Sequence, residues 1–308
     1  MATLVGRLPA ISMPPETQFF PEIYREEDAA GPELAMRALE NPRVRDLGLD
    51  TEWFMAAFRS TAMTHKDLFE LIIRGYCEKA GKSRPGEKSP NHLHWAKTLL
   101  EWFPRARIIG VVRDGRDVAN SLMAVPWSHN NIIKHSFDWV VSQEIASRLQ
   151  ADEPERFRLV MYERLLTETE SVLKEVCGFL DEDYDRSILN AGDSGAVPEW
   201  EAGWKAKALR EIDPSNIGKW RQRGYWDRLV MNTLMRSELR RNGYAVTEAV
   251  LPMRFLVRLI SWPYHPKARP IFSRIKSALL GRPAQRQAHP GEPTPAKRNS
   301  VEQKKAVQ

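Results

Sequence analysis

Residues 107–122, Arg-Ile-Ile-Gly-Val-Val-Arg-Asp-Gly-Arg-Asp-Val-Ala-Asn-Ser-Leu, constrain this chain's fold more than any other stretch. Ile108 to Val112 is a short apolar run rich in β-branched residues, the pattern of a buried strand in a parallel sheet. It stops at Arg113-Asp114-Gly115, a turn signal. Val118, Ser121 and Leu122 then recur at three- and four-residue spacing, which predicts a helix. A strand that feeds a turn and then a helix places the turn at the carboxyl edge of a sheet, where open α/β sheets bind their ligands. Arg113 leaves the strand end and Ser121 follows two helical turns later. An arginine fork and a hydroxyl so placed can grip a phosphate. The bland alternative is an arginine that pairs with Asp114 or Asp117.

The segment Val-Arg-Asp-Gly-Arg-Asp-Val-Ala-x-Ser also resembles the 3′-phosphate-binding motif of the sulfotransferase superfamily. Those enzymes use the donor PAPS (3′-phosphoadenosine 5′-phosphosulfate). The resemblance implies an α/β fold, with a P-loop-NTPase-like parallel sheet flanked by helices. It also implies that Arg113 and Ser121 hold the 3′-phosphate.

Near the start, Ile11 to Met13 is a short apolar piece running into Pro14-Pro15-Glu16-Thr17. The two prolines fix the backbone just ahead of the carboxylate. A Glu-Thr pair can simply cap the helix that follows. The segment is also similar to the Pro/Glu-Glu-Thr segment of tyrosylprotein sulfotransferases and related bacterial enzymes, whose glutamate is the general base. The resemblance assigns that role to Glu16.

Residues 82–94 are polar and turn-rich, and a helix is expected from 91 to 103. Gly86-Glu87-Lys88-Ser89-Pro90 resembles the family's Glu-Lys-Thr-Pro segment, which implies that Lys88 faces the transferring sulfuryl group. His92 and His94 are two residues apart, so at most one can point inward. Residues 157–161, Phe-Arg-Leu-Val-Met, read as a second parallel strand ending at Tyr162-Glu163. Tyr-Glu-x-Leu recurs in the family after that strand, with the tyrosine near the nucleotide; a core tyrosine is the other reading of Tyr162. Gly218-Lys219-Trp220 resembles the family's C-terminal motif, which brings Lys219 to the donor and leaves Trp220 as a packing anchor.

The remaining pattern is mostly helical. Apolar residues recur near helical spacing over 33–80, and over 136–150, 169–180 and 229–241. Residues 185–213, with Trp200 and Trp204, read as irregular. Cys77 and Cys177 are the only cysteines and read as free thiols. No Cys/His cluster has zinc-ligand spacing, and the resemblance requires no metal.

Charge divides the chain. The net charge is +6, and residues 253–308 carry twelve Lys/Arg against two Asp/Glu, a net of +10, which leaves −4 for residues 1–252. With the resemblance, this division implies a sulfotransferase-like domain over 1–252, a basic amphipathic extension over 253–283 and a polar, disordered tail over 284–308. The segments in 253–280 suit peripheral contact with an anionic membrane surface, or docking on the acidic body. With no signal peptide and no apolar run long enough to span a bilayer, the expected location is cytoplasmic. Phe255, Trp262, Tyr264 and Phe272 read as apolar anchors rather than base-stacking platforms, so nucleic acid is not an expected partner.

Against the resemblance stands one absence. The family opens with a strand and a Ser-Gly-Thr-Thr loop that cradles the 5′-phosphosulfate at a helix N-terminus. Here Met1 to Leu8 already reads as the helix that should follow. The first strand and loop are therefore expected to be missing, leaving unpaired edges on neighbouring strands. Two functions follow: a PAPS-dependent transfer of sulfate to an acceptor hydroxyl, or a non-catalytic relative that binds an anionic nucleotide or glycan. A P-loop kinase would need a Gly-Lys-Ser/Thr loop and a magnesium carboxylate pair, and neither is present.

Overall fold

The computed structural model describes residues 1–25, 31–59, 64–125, 128–189 and 214–247. The chain opens with α1 (Ala2–Val5) and β1 (Ile11–Ser12), then a turn of π-helix over Phe19–Ile23. Four helices follow, α2 (Pro32–Glu40), α3 (Pro42–Arg45), α4 (Thr51–Arg59) and α5 (His65–Lys79). Local chemistry sets their starts. Asn41 caps α3 by accepting from Arg43 N, and Thr64 and Asp67 form a reciprocal capping box on α5. Their apolar faces bury Leu34, Phe54, Leu68 and Ile72 together with Phe19 and Phe20.

Strand β2 (Arg84–Pro85) is a departure from expectation, since it lies in the stretch read as polar turns. It pairs in parallel with β1, Ile11 opposite Arg84 and Ser12 opposite Pro85. The helix expected over 91–103 is instead a 3₁₀ segment, Pro90–Trp95, followed by α6 (Ala96–Trp102).

The two apolar runs form β3 (Ile108–Val112) and β4 (Phe157–Met161), paired in parallel from Ile108–Phe157 to Val112–Met161. α7 (Gly115–Leu122) and α8 (Ile132–Asp152) connect them, and α9 (Tyr162–Thr167) and α10 (Thr169–Leu180) follow. α8 starts before residue 136 because Asn131 caps it by accepting from Lys134 N. The closing helix expected over 229–241 is two helices, Tyr225–Leu234 and Arg236–Arg241.

Among the described residues the parallel strands form two pairs, β1–β2 and β3–β4, rather than one continuous sheet. Val111, in the middle of β3, is 43% exposed, as expected of a strand with an uncovered face. One helix end ties the pairs together. The last carbonyls of α10 lack intrahelical donors, and arginines supply them. Arg84, opening β2, donates to Leu180 O, and Arg107, just ahead of β3, donates to Phe179 O. Both strands thus begin beside the same helix end. α10 also presents Val172, Leu173 and Val176 to Ile11 of β1 and Val160 of β4, with Leu4, Val5 and Leu8 completing that core. Each such side chain fully buried contributes roughly 1.5–3 kcal/mol.

Lys82 anchors the first turn from within: its ammonium donates to Gly6 O, Leu8 O and Ile11 O. Cys77 and Cys177 are both free and buried. Among the described residues no helix is long and apolar enough to cross a membrane. Trp200, Trp204, most of the 185–213 segment and the readings placed on 253–283 and 284–308 lie outside the described residues.

Candidate functional site

Glu16 and Lys88 meet. Their side chains form an ion pair, Lys88 Nζ to Glu16 Oε1, with the carboxylate largely buried and the lysine half-buried. The pair lies on turns that follow two adjacent strands, β1 and β2, so the parallel register delivers it. The second Glu16 oxygen accepts from Gln18 Nε2 at 2.7 Å. Gln18 has a left-handed backbone, φ 48°, a conformation that costs a non-glycine residue about 1–3 kcal/mol. Its side chain and backbone are held in turn, with Asn91 Nδ2 on Gln18 Oε1 and Gln18 N on Ser89 Oγ. The start of α1 lies close by. Burial, and then the charge of Lys88, hold the Met1 amine down at about 6.

Beneath this pair lies Glu87, which sequence reasoning passed over. Its Oε1 accepts from Thr17 N, Thr17 Oγ1 and Ser89 Oγ, and its Oε2 lies 2.8 Å from His92 Nδ1. Burial alone would raise its pKa; the contacts from His92, Ser89 and Thr17 outweigh burial and hold it below its ordinary value. Of the two histidines, His92 is buried and His94 exposed, as their spacing requires. His92 packs edge-on against Phe20, at 5.0 Å between ring centroids.

A second group forms at the ends of β3 and β4. The register Val112–Met161 makes Arg113 and Tyr162 the next residues on adjacent strands, and the guanidinium lies over the tyrosine ring at 4.9 Å. Arg113 Nη2 donates to Asn216 O at 2.7 Å. Its Nε is buried with no partner among the described residues. Arg113 pairs with neither Asp114 nor Asp117, so the bland reading of this arginine is set aside.

Those two aspartates build the frame instead. Asp114 takes a two-pronged bond from Arg116, which is buried, stacks on Trp220 at 3.9 Å and also donates to Asn232 Oδ1. Asp114 N donates to Glu163, whose other oxygen accepts from Tyr244 OH; burial and then that carboxylate push the tyrosine pKa far up. Asp117 accepts from Gly218 N and Trp220 N, and Asn120 accepts from Arg223 Nε. The segment 216–223 is therefore laced along α7 by Arg113, Asp117 and Asn120. Lys219 sits on it, exposed, donating to Asn216 Oδ1. Ser121 is exposed on α7, one residue beyond Asn120. A cavity of about 250 Å³ on β4, lined by Arg158, Arg164, Val172 and Glu175, includes none of the candidate residues. Among the described residues no group of His, Cys, Asp and Glu could hold a metal ion.

The model of the sulfotransferase family matches residues 1–186, more than half of the chain. The chain belongs to the sulfotransferase family. Its structure is similar to the sulfotransferase domain of the Synechococcus PCC 7002 olefin synthase, with 22% identity and a TM-score of 0.54 over 77% of this chain and 88% of that one. It is similar also to the sulfotransferase domain from the curacin biosynthetic pathway, with 16% identity and a TM-score of 0.53 over 79% and 92%. At these identities the likeness shows the shared α/β fold. No curated protein matches the chain.

Proposed function

We propose that this sulfotransferase-family chain moves a sulfuryl group from PAPS to a hydroxyl of its acceptor. The observation that carries the reading is the Glu16–Lys88 pair, a carboxylate and an ammonium joined at the ends of paired parallel strands. Glu16 accepts the proton of the acceptor hydroxyl as general base. Lys88 offsets negative charge that develops as the hydroxyl oxygen attacks. Such transfers depend mainly on positioning and electrostatics.

The residues at the ends of β3 and β4 fit an anionic nucleotide. Arg113 keeps a buried, unpartnered Nε among the described residues, and its guanidinium lies over the ring of Tyr162. Ser121 adds a hydroxyl and Lys219 a cation from the laced loop. When bound, PAPS supplies the sulfuryl group; Arg113, Ser121, Tyr162 and Lys219 hold its nucleotide. No step in this scheme requires a metal.

One observation favours a second reading, a relative that binds an anionic nucleotide or glycan without turnover. The strands that would flank a continuous sheet form two separate pairs among the described residues. A labelled-donor screen separates the two. With ³⁵S-labelled PAPS and an array of sugar, lipid-headgroup, peptide-tyrosine and small-alcohol acceptors, label should pass to one class of hydroxyl. Saturable binding of adenosine 3′,5′-bisphosphate with no transfer to any class would favour the second reading.

A further inference from the structure

Lys88 and Glu16 sit on different segments, 72 residues apart, and neither turn is regular secondary structure. Something must set one turn against the other to within a fraction of an ångström, because a misplacement of about 1 Å can cost on the order of 10²-fold in rate. The strands themselves offer little, since β1 and β2 are two residues each.

Two of the bonds that bridge the turns, both from Thr17, end on one carboxylate. Glu87 Oε1 receives Thr17 N at 3.3 Å and Thr17 Oγ1 at 2.9 Å from the first turn, and Ser89 Oγ at 2.6 Å from the second. Thr17 follows Glu16, and Ser89 follows Lys88. Ser89 Oγ also receives Gln18 N at 3.0 Å, and Gln18 Nε2 reaches back to Glu16. On its other side Glu87 Oε2 meets His92 Nδ1, on the 3₁₀ segment, and His92 is wedged against Phe20 and Phe69 of the aromatic core. The carboxylate is thus braced from the core and bonded to a neighbour of each member of the pair.

We infer that Glu87 is the positioning residue of this site: its buried carboxylate, backed by His92, sets the register between Glu16 and Lys88. The inference rests on the reading of Glu16 and Lys88 as the working pair. A carboxylate is suited to the task because it accepts several hydrogen bonds and donates none, so Thr17 and Ser89 can both donate to it while His92 Nδ1 lies 2.8 Å from its other oxygen. An amide in its place turns one acceptor into a donor, which faces other donors.

The test separates register from chemistry. Reductive methylation with ¹³C-formaldehyde gives each lysine an NMR signal, and Lys88→Arg identifies that of Lys88. In Glu16→Gln the Lys88 signal should move away from its wild-type position. In Glu87→Gln, and in the milder Thr17→Val/Ser89→Ala double variant, it should move in the same direction, while the amide spectrum away from the two turns stays in place. A Lys88 signal unchanged in folded Glu87→Gln would overturn the inference. In sulfate transfer, Glu87→Gln should lower kcat tenfold or more and leave both KM values within twofold, and Glu87→Asp should not restore it because the shorter arm misses Thr17. Equal kcat in Glu87→Gln and wild type would likewise overturn it. Absence of transfer by the wild-type chain would contradict the proposed function alone, and the lysine signal would then decide the role of Glu87.

Discussion

Two arginines three positions apart occupy opposite environments. Arg116 is buried, with its guanidinium spent on Asp114, Asn232, Ala245 O and the face of Trp220. Arg113 is half-buried and retains an unpartnered Nε among the described residues. Arg113→Ala should therefore leave the fold in place and weaken adenosine 3′,5′-bisphosphate by about ten- to a hundredfold, since hydrogen bonds to charged groups contribute about 1.5–3 kcal/mol each. Calorimetry reads this directly, and equal affinity in the two proteins would remove Arg113 from the site. Glu87 carries a pH signature. Its folded-state pKa lies below its ordinary 4.5, so it adds stability above that pH and loses it as pH falls through the folded value. Acid unfolding followed by circular dichroism should show a shallower loss of stability below pH 4.5 in Glu87→Gln than in wild type; parallel curves would contradict the assignment. Spacing could not have picked out these residues. In Arg-Asp-Gly-Arg-Asp both arginines stand near a carboxylate, and only the tertiary approach of residues 216–232 decides which one is consumed. Glu87 lay hidden for the same reason: its partner Thr17 is brought to it by the β1–β2 register.

At the scale of elements, β3 and β4 were legible to the residue: β3 is an unbroken apolar run, and in β4 only Arg158 interrupts one. α10 was equally legible from its apolar stripe. β2 was not. It is Arg84–Pro85, and the bonds that hold it, Arg84 N to Ala10 O and the following Gly86 N to Ser12 O, are backbone bonds that leave no mark on side-chain pattern. α7 owes its position to Gly115, which a sequence reads only as a turn signal. A Cβ there would run into the indole of Trp139, whose Nε1 donates to Arg113 O at 3.1 Å. Gly115→Ala should thus cost about 1–3 kcal/mol through overpacking. It should lower Tm and weaken nucleotide binding together, because the indole that shifts also holds the Arg113 backbone. Gly178→Ala on α10, where nothing lies within 4 Å of the new methyl, is the control and should hold or raise Tm. Equal melting of Gly115→Ala and wild type by calorimetry would show that the α7–α8 contact is looser than the packing implies.

Across the whole molecule, the two candidate groups stand at the ends of two strand pairs that share one anchor. Arg84 and Arg107 seat β2 and β3 on the last turn of α10, so the turn bearing Lys88 and the turn bearing Arg113 are referred to the same helix end. The family match over residues 1–186 sets the class of chemistry. The proposed role of Glu16 as base is supported by its contact with Lys88. The most direct measurement is therefore single-turnover transfer of labelled sulfate from PAPS to an acceptor hydroxyl by wild type and Glu16→Gln. Loss of a general base typically costs about 10²–10⁴-fold, so the variant should be slower by that factor while its affinity for adenosine 3′,5′-bisphosphate stays within twofold of wild type. Equal transfer rates in the two proteins would contradict the account and move the base away from Glu16.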